Sequence, residues 1–401
     1  MNTLRTWIEI DKRALRRNVE QFLKLIPKKA RLMAVVKSNA YGHGLVQVAS
    51  LLAGVNSKKQ VVSNSKGLTS YFSALTTRLW FGVDSIVEGL RLRKEGIQNP
   101  IFVLGATLHN RLAEAARENI TISVSNFDSL RALAKEKVRP AFHVKCDTGM
   151  HRQGFLPEET PQLIKLIKLF KLTPEGIFTH FAAAKDILYP TYTREQTRKF
   201  KEVVRALEKA GFKKLIRHAA ASGGALLFPE THFDMVRIGM GLYGYPPSPE
   251  AGIRNYELGI TLKPVLTWKT VVAEIKEIPK GSYVGYDLTE RVARKTKIAV
   301  LPIGYWHGYD RGLSIIGEVL VRGARTKVLG RVSMDMIVVD VTDIDNKIKD
   351  KGQRIKVGEE VVLIGRQGKE AIWADELAGK IGTSQYEFLT RVNPLIKRII
   401  K

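Results

Sequence analysis

The sequence predicts an α/β protein, an N-terminal (β/α)8 TIM barrel followed by a C-terminal mainly-β domain. Three observations carry that expectation. Eight short, near-continuous apolar runs recur between residues 12 and 245, as buried parallel strands require. Amphipathic segments such as SIVEGLRLRKEG and FDSLRALAKEK lie between most of them and end near Gly or Pro. After Pro264 the pattern turns to alternating, β-branched stretches divided by glycine-rich turns, which reads as antiparallel sheet.

The strand-like runs fall at 31–37, 79–83, 100–105, 120–125, 141–147, 176–182, 215–220 and 235–243. Eight strands with their helices in about 235 residues match a barrel in count and size; a doubly wound open sheet is the competing arrangement. VLTWKTVVAEIKEI, KIAVLPIGY, IGEVLVRGARTKVLGRV, MIVVDVTDI and EEVVLIGR supply the β domain. TWIEID near the N-terminus also alternates and is assigned to it, so the expected division is 12–245 for the barrel, with 1–11 and 260–401 for the β domain. Residues 57–78 are polar and rich in Ser, Thr and Lys, too long for an ordinary helix-to-strand connection, and read as a surface insertion.

The 401 residues carry 65 basic and 39 acidic side chains, a net charge of +26. The basic residues are scattered through amphipathic helices and come with no zinc finger, RNA-binding signature or aromatic-basic interleaving, so no nucleic-acid partner is expected. The single cysteine, Cys146, excludes a disulfide framework and fits a reducing compartment. The charged first residues lack a signal core, and no apolar run is long enough to span a membrane. A cytoplasmic protein without a membrane partner is expected.

Side chains at the carboxyl ends of barrel strands face the active site. Those ends present Lys37, Lys145 with Asp147, His180, His218 and Arg237. Lys37 leaves a dry strand ahead of the loop SNAYGHG; a lysine able to form a Schiff base beside an anion-binding loop is what pyridoxal phosphate needs. Gly239-Met240-Gly241-Leu242-Tyr243-Gly244 satisfies G-x-G-x-x-G formally, but YPPSPEAG follows and cannot start the long helix of a dinucleotide site. These glycines still let backbone N–H groups approach a phosphate. KCDTGMHRQG reads either as a salt-bridged turn or as a loop presenting Arg152 to a carboxylate. Histidines 43, 151, 180, 218, 232 and 307 show no metal-ligand spacing, and no metal is expected. GSYVGYD and LPIGYWHGYDRG gather tyrosines around glycines, either for packing or as the source of a second proton-transfer group.

Nine segments taken in order resemble the motifs of the alanine racemases, fold-type III pyridoxal phosphate enzymes built from a barrel and a β domain. They are AVVKSNAYGHG, VKCDTGMHRQG, FTHFAAAKD, HAAASGG, VRIGMGLYG, VGYD, PIGYWHGYDR, GRVSMD and TSQYE, and the resemblance extends over nearly the whole chain apart from 57–78. The resemblance implies that Lys37 holds pyridoxal 5'-phosphate and is one of two catalytic bases. It implies that Tyr286 is the other, reaching the partner's barrel across a homodimer interface. Tyr41, Ser222, the backbone of Gly239 and Met240, and Tyr386 match phosphate-binding positions, and Arg237 matches the arginine at the pyridine nitrogen. His180 and His218 match histidines linked to that arginine and to the tyrosine base. Arg152 and the backbone N–H of Met334 match groups that take the substrate carboxylate. Lys145 matches a lysine that is carbamylated in many members (N6-carboxylysine) and orients the arginine. Arg311 and Arg331 match arginines that line the substrate entrance or support the carbamate, with Asp335 in the same motif as Arg331.

The implied activity is interconversion of L- and D-alanine, supplying D-alanine for peptidoglycan precursors. Racemising an α-carbon requires removing a proton from one face and returning one to the other, hence two bases. Competing readings are a broad-specificity or serine racemase and a non-catalytic pyridoxal phosphate-binding protein. The chain departs from the family pattern at Ala221, where asparagine is usual, at His151, where glycine is common, and at Ser333, which replaces a frequent cysteine.

Overall fold

The computed structural model describes residues 4–54, 78–185, 190–248, 252, 257–349 and 353–401. Apart from Arg78, the expected insertion at 57–78 lies outside the described residues. The chain divides into two compact units, Arg13–Ala40 with Leu45–Lys263, and Met1–Lys12 with Tyr41–Gly44 and Pro264–Lys401.

After a first strand, β1 (Thr6–Ile10), the first of these units is a closed parallel barrel. Its strands are β2 (Arg31–Val35), β3 (Leu79–Val83), β4 (Ile101–Val103), β5 (Ile120–Val124), β6 (Phe142–Lys145), β7 (Gly176–Phe178), β8 (Ile216–His218) and β9 (Met235–Ile238). Neighbours in sequence pair in space, and β2 closes the ring on β9 with Met33 opposite Arg237. All eight coincide with the predicted apolar runs, because each run is buried by helices outside and by the barrel core within. Met33, Trp80, Phe102, Phe178 and Met235 fill that core.

The surrounding helices bury one stripe each. Lys12–Leu25 turns Ala14, Leu15, Asn18, Val19 and Phe22 inward. Asn18 is the polar member of that stripe and is satisfied: its Nδ2 donates to the carbonyls of Leu242 (2.9 Å) and Lys263 (2.8 Å), and its Oδ1 accepts from Lys263 N–H (2.8 Å). Phe127–Lys135 starts where the Asn126 side chain accepts from Ser129 N–H, a side-chain N-cap.

Seven of the eight predicted runs extend past their strands, and two of them do so into special turns. The 31–37 run stops at Val35, and Ser38, Asn39, Ala40 and Tyr41 take φ of 54°, 56°, 53° and 52°, a left-handed turn. The 235–243 run stops at Ile238; Gly239 breaks it, Met240–Tyr243 form a 3₁₀ turn, and Gly244 closes it at φ 93°.

The second unit is a largely antiparallel sheet in which β1 lies between Leu266–Val271, antiparallel, and Lys397–Ile400, parallel. The order continues outward from Leu266–Val271 through Glu360–Gln367, Glu318–Val321, Ala324–Leu329, Ile337–Asp340 and Thr296–Leu301 to Glu274–Ile278. Trp268 and Tyr309 are fully buried in it, with ring centroids 6.4 Å apart. Among the described residues no helix is long and apolar enough to cross a membrane.

Gly176 begins β7 where there is no room for a side chain. A Cβ there would stand 2.6 Å from the Ile216 carbonyl oxygen and 2.7 Å from His143 Cε1. Gly176→Ala is expected to cost about 1–3 kcal/mol through overpacking, read as a lower urea midpoint.

Candidate active site

The side chains picked out at the carboxyl ends of the strands fall into three groups within the barrel. The first surrounds Arg237, which is 3% exposed. Its Nη1 donates to His218 Nδ1 (2.9 Å), and its Nη2 donates to the carbonyls of Thr179 and Ala219 (both 2.8 Å) and to His180 Nδ1 (3.1 Å). Nε–H is left without a partner among the described residues. Burial pushes the Arg237 guanidinium down to about 9, so it stays charged at neutral pH. Burial, with Arg237, Arg152, Lys145 and Lys37 nearby, pushes His180 down to about 3. Burial and Arg237 likewise hold His218 well below the usual imidazole range. Both rings are neutral, and each accepts from Arg237 through its unprotonated Nδ1.

The second group is the turn after β6. Asp147 accepts backbone N–H groups from Gly149 (3.0 Å), Met150 (2.9 Å) and His151 (3.0 Å) on Oδ1 and from Arg152 (3.0 Å) on Oδ2. Burial alone would raise this carboxyl, but the four N–H donors hold it below the usual carboxylate range. The turn is therefore a carboxylate-centred cup and not a salt bridge. His151 sits in it at φ 53°, a left-handed position that explains why glycine suits the site. Gly154 closes the turn at φ 130°, where a Cβ would meet Asp147 N at 2.6 Å. Gln196 ties this turn to the next loop, donating to Thr148 Oγ1 and the His180 carbonyl (both 3.3 Å) and accepting from Ala182 N–H (3.0 Å).

Lys145, Asp147, Met150, Arg152, Gln153 and His180 line one cavity. Lys145 donates to Gln153 Oε1 (3.0 Å) and lies over the Phe178 ring. Burial first, then the positive charges of Arg152, Arg237 and Lys37, push its amine down to about 8. Cys146 next to it is buried, and its thiol is pushed up to about 12 by burial and by Asp147, so it is no nucleophile.

The third group is Lys37 and its loop. The dry strand end expected for Lys37 is not found: its side chain is 36% exposed and pairs with Asp84, the residue after β3, at 3.1 Å. Glu88 accepts from Ser38 N–H (2.7 Å) and Asp84 N–H (2.8 Å), anchoring the left-handed turn and the residue that pairs with the lysine. Ala40 N–H donates back to the Val36 carbonyl (2.7 Å), and Asn39 Oδ1 accepts from Leu45 N–H (2.9 Å). A left-handed turn costs roughly 1–2 kcal/mol per non-glycine residue, which these contacts offset.

Ser222 Oγ accepts from Gly239 N–H (3.1 Å) and Gly241 N–H (3.3 Å), while the N–H of buried Met240 between them has no partner among the described residues. Gly241 is required here, since a Cβ would run into the Phe22 ring at 2.5 Å. The second unit holds the remaining candidates. Tyr41 and Tyr386 rings meet edge to face at 6.2 Å, and burial pushes the Tyr386 phenol up to about 12. Arg398 donates to the Gly42 carbonyl (2.8 Å), fixing the chain just after Tyr41. Tyr286 is 68% exposed in a turn whose Asp287 pairs with Arg331 (3.1 Å) and Arg311 (3.9 Å). Met334 and Asp335 are exposed.

Sequence reading missed Asp84, Glu88, Gln196 and His143. His143 was detectable: it lies two residues before Lys145 on the same strand, so both face one side.

Residues 10–247 match the family described as alanine racemase, N-terminal domain, and 265–400 match alanine racemase, C-terminal domain. The chain is 39% identical to an alanine racemase of Symbiobacterium thermophilum, over 98% of this chain and 96% of that protein. It is 36% identical to one from Leptospira interrogans, over 100% of this chain and 96% of that protein. The crystal structure of alanine racemase from Bacillus anthracis with bound L-Ala-P matches at a TM-score of 0.85 and 33% identity, covering 100% of this chain and 96% of that one. An alanine racemase from Clostridium difficile 630 matches at 0.84 and 32%, covering 100% and 97%.

Asp147→Asn keeps the shape but gives up the charge and an acceptor oxygen, and is expected to cost about 1–3 kcal/mol at neutral pH. Because the folded carboxyl sits below the ordinary aspartate value, this contribution is complete above that ordinary value and is lost as pH falls through the lower folded one. Urea titrations of both proteins at neutral pH and at pH below that range should converge on acidification.

Proposed function

The chain belongs to the alanine racemase family, and from that premise we propose that it interconverts L- and D-alanine by a two-base, pyridoxal phosphate-dependent reaction at the carboxyl end of its barrel. The observation that carries the proposal is Arg237, a buried guanidinium held by four acceptors whose Nε–H is left unpartnered among the described residues. A donor that keeps its proton at neutral pH suits a ring nitrogen meant to stay unprotonated.

The residues fit the cofactor. Lys37 supplies an amine that is reachable and paired only with Asp84 among its ion pairs. Ser222 Oγ and the open N–H of Met240 suit phosphate oxygens, with Gly239 letting backbone come close. Tyr41 and Tyr386, whose rings meet within the second unit, offer two phenols suited to phosphate oxygens. Bound there, pyridoxal phosphate would supply a carbonyl for an amine and a conjugated ring that draws electrons from the α-carbon.

Within this proposal each residue has a defined task. Lys37 Nζ removes or returns the α-proton on one face, and Tyr286 Oη of a second protomer does so on the other. Arg237 holds its proton at the ring nitrogen, which weakens the ring as an electron sink and favours prompt reprotonation. His180 stays neutral, so its Nε2–H is free to donate to the tyrosine oxygen when that oxygen is negative. Arg152 and the Met334 N–H take the substrate carboxylate. Burial and the neighbouring cations lower the Lys145 amine to about 8, which favours its neutral form more than in a free lysine. That neutral amine adds carbon dioxide, losing a proton to give a carbamate anion that pairs with Arg152.

A homodimer is part of the proposal. Tyr286, Leu288, Tyr305, Trp306, Met334 and Met336 are all more than 40% exposed. Backbone bonds from Tyr305 and Trp306 to the Ser333 and Met334 carbonyls (both 3.0 Å) gather part of this set into one patch, as a protein interface requires.

Purified protein given pyridoxal phosphate is expected to convert L-alanine to the racemate in a chiral assay, with L-serine much slower. Lys37→Ala should lose both turnover and the visible cofactor band. Tyr286→Phe should keep the band and lose turnover by about 100-fold or more. Mixing the two inactive variants should restore activity, since a hybrid dimer regains one site with both bases. Cofactor-loaded wild type without racemisation would overturn the proposal.

A further inference from the structure

The barrel core contains two histidines that are fully buried among aromatic rings. His143 lies 4.7 Å from Phe102 and His218 stacks on Phe178 at 4.9 Å, centroid to centroid. They touch each other: His143 Nδ1 and His218 Nε2 are 2.7 Å apart. His218 Nδ1 faces Arg237 Nη1 at 2.9 Å, and His143 Nε2 faces Glu175 Oε2 at 3.3 Å, a long contact outside good hydrogen-bond alignment. Glu175, just before β7, also accepts from Thr121 Oγ1 (3.2 Å) near the start of β5. The four side chains thus cross the barrel from the carboxyl end of its strands to the amino end.

We infer that Arg237, His218 and His143 form one polarised hydrogen-bond relay, and that Glu175, in charge contact with the far nitrogen of His143, is a remote positioning residue supplying the counter-charge for the buried guanidinium. The chemistry of the two ends fixes every proton between them. A guanidinium only donates, so His218 Nδ1 is bare and its Nε2 carries the hydrogen. That hydrogen points at His143 Nδ1, which is therefore bare, and the second hydrogen sits on His143 Nε2, facing the carboxylate. Reversing either ring sets two donors against each other.

The charges agree with this order. Burial holds both imidazoles below their usual range, so neither is a cation, and Glu175 only partly opposes this at His143. Burial alone would raise the Glu175 carboxyl, but His143, Thr121 and Arg31 outweigh it and keep it ionised. Arg237 has no carboxylate among its four partners, and Lys145, Arg152 and Lys37 share its end of the barrel. A chain of neutral, mutually polarised imidazoles delivers part of a negative charge to it without placing a carboxylate beside the reaction. A plain core would fill this space more cheaply with Phe or Leu than with two imidazoles that each need partners.

The expected effect on turnover rests on the racemase reading; the proton placement does not. In histidine-labelled protein, nitrogen-15 NMR should show Nδ1 bare and Nε2 protonated on both rings, with the Nε2 proton of His218 far downfield. Glu175→Gln should move the His143 Nε2 proton upfield and shift the His218 proton in the same direction by less. It should lower kcat about tenfold with KM nearly unchanged. Thr121→Val, which only loosens Glu175, should move the same two protons less and serves where Glu175→Gln fails to fold. A proton on His218 Nδ1, or a His218 signal indifferent to both substitutions, overturns the relay. Absence of racemisation with these signals intact would sink the racemase reading alone.

Discussion

A guanidinium buried in the mouth of an apolar barrel is the constraint on which the other features depend. Taking such a charge from water costs several kcal/mol unless its donors are met. Here Nη1 and Nη2 are met by two backbone carbonyls and two imidazoles from the loops and strand ends of β7 and β8. Those acceptors are in reach only if β7, β8 and β9 hold their register, which the Phe178–His218 pairing and the Arg237 N–H bond to the Ala220 carbonyl (3.0 Å) secure. Each neutral histidine in turn demands a partner for its other nitrogen, so polarity set at Arg237 spreads into the core.

Two carboxylates shape the rim by binding backbone instead of side chains. Asp147 gathers four successive N–H groups and so fixes the turn that carries Arg152. Glu88 gathers two and holds the left-handed turn that follows Lys37. In both places non-glycine residues take positive φ, and the carboxylate compensates for the strain. Acidic residues close to a basic site are thus spent on loop geometry, which leaves the cations largely unneutralised.

The barrel was legible because parallel strands buried on both faces must be apolar end to end, and all eight runs met that condition. Where strands stop was less legible. Val36 and Lys37, and Gly239 to Tyr243, continue the apolar or glycine-rich pattern, yet the chain leaves the ladder there to bring backbone to the site. Lys37, Lys145, His180, His218 and Arg237 were found because polar side chains ending apolar strands are conspicuous. His143 was passed over because it lies inside its strand, where a histidine reads as packing. Asp84 and Glu88 were missed because their partners are about 47 to 50 residues away in sequence, and no local pattern announces such a contact.

Charge at the carboxyl end of the barrel makes a last point that the overall +26 does not. Lys37, Arg152 and Arg237 each lower the Lys145 amine, so four cations act on one another there. Asp84 answers Lys37, and Asp147 is taken up by backbone. Such a cluster is stable in proportion to the anions it receives, and a phosphate together with a carboxylate matches it in number and kind. Converting Lys145 from ammonium to carbamate would change the local charge by two at a stroke, the largest adjustment any single residue there can make. Under the proposed reaction, the lowered amine would favour that conversion.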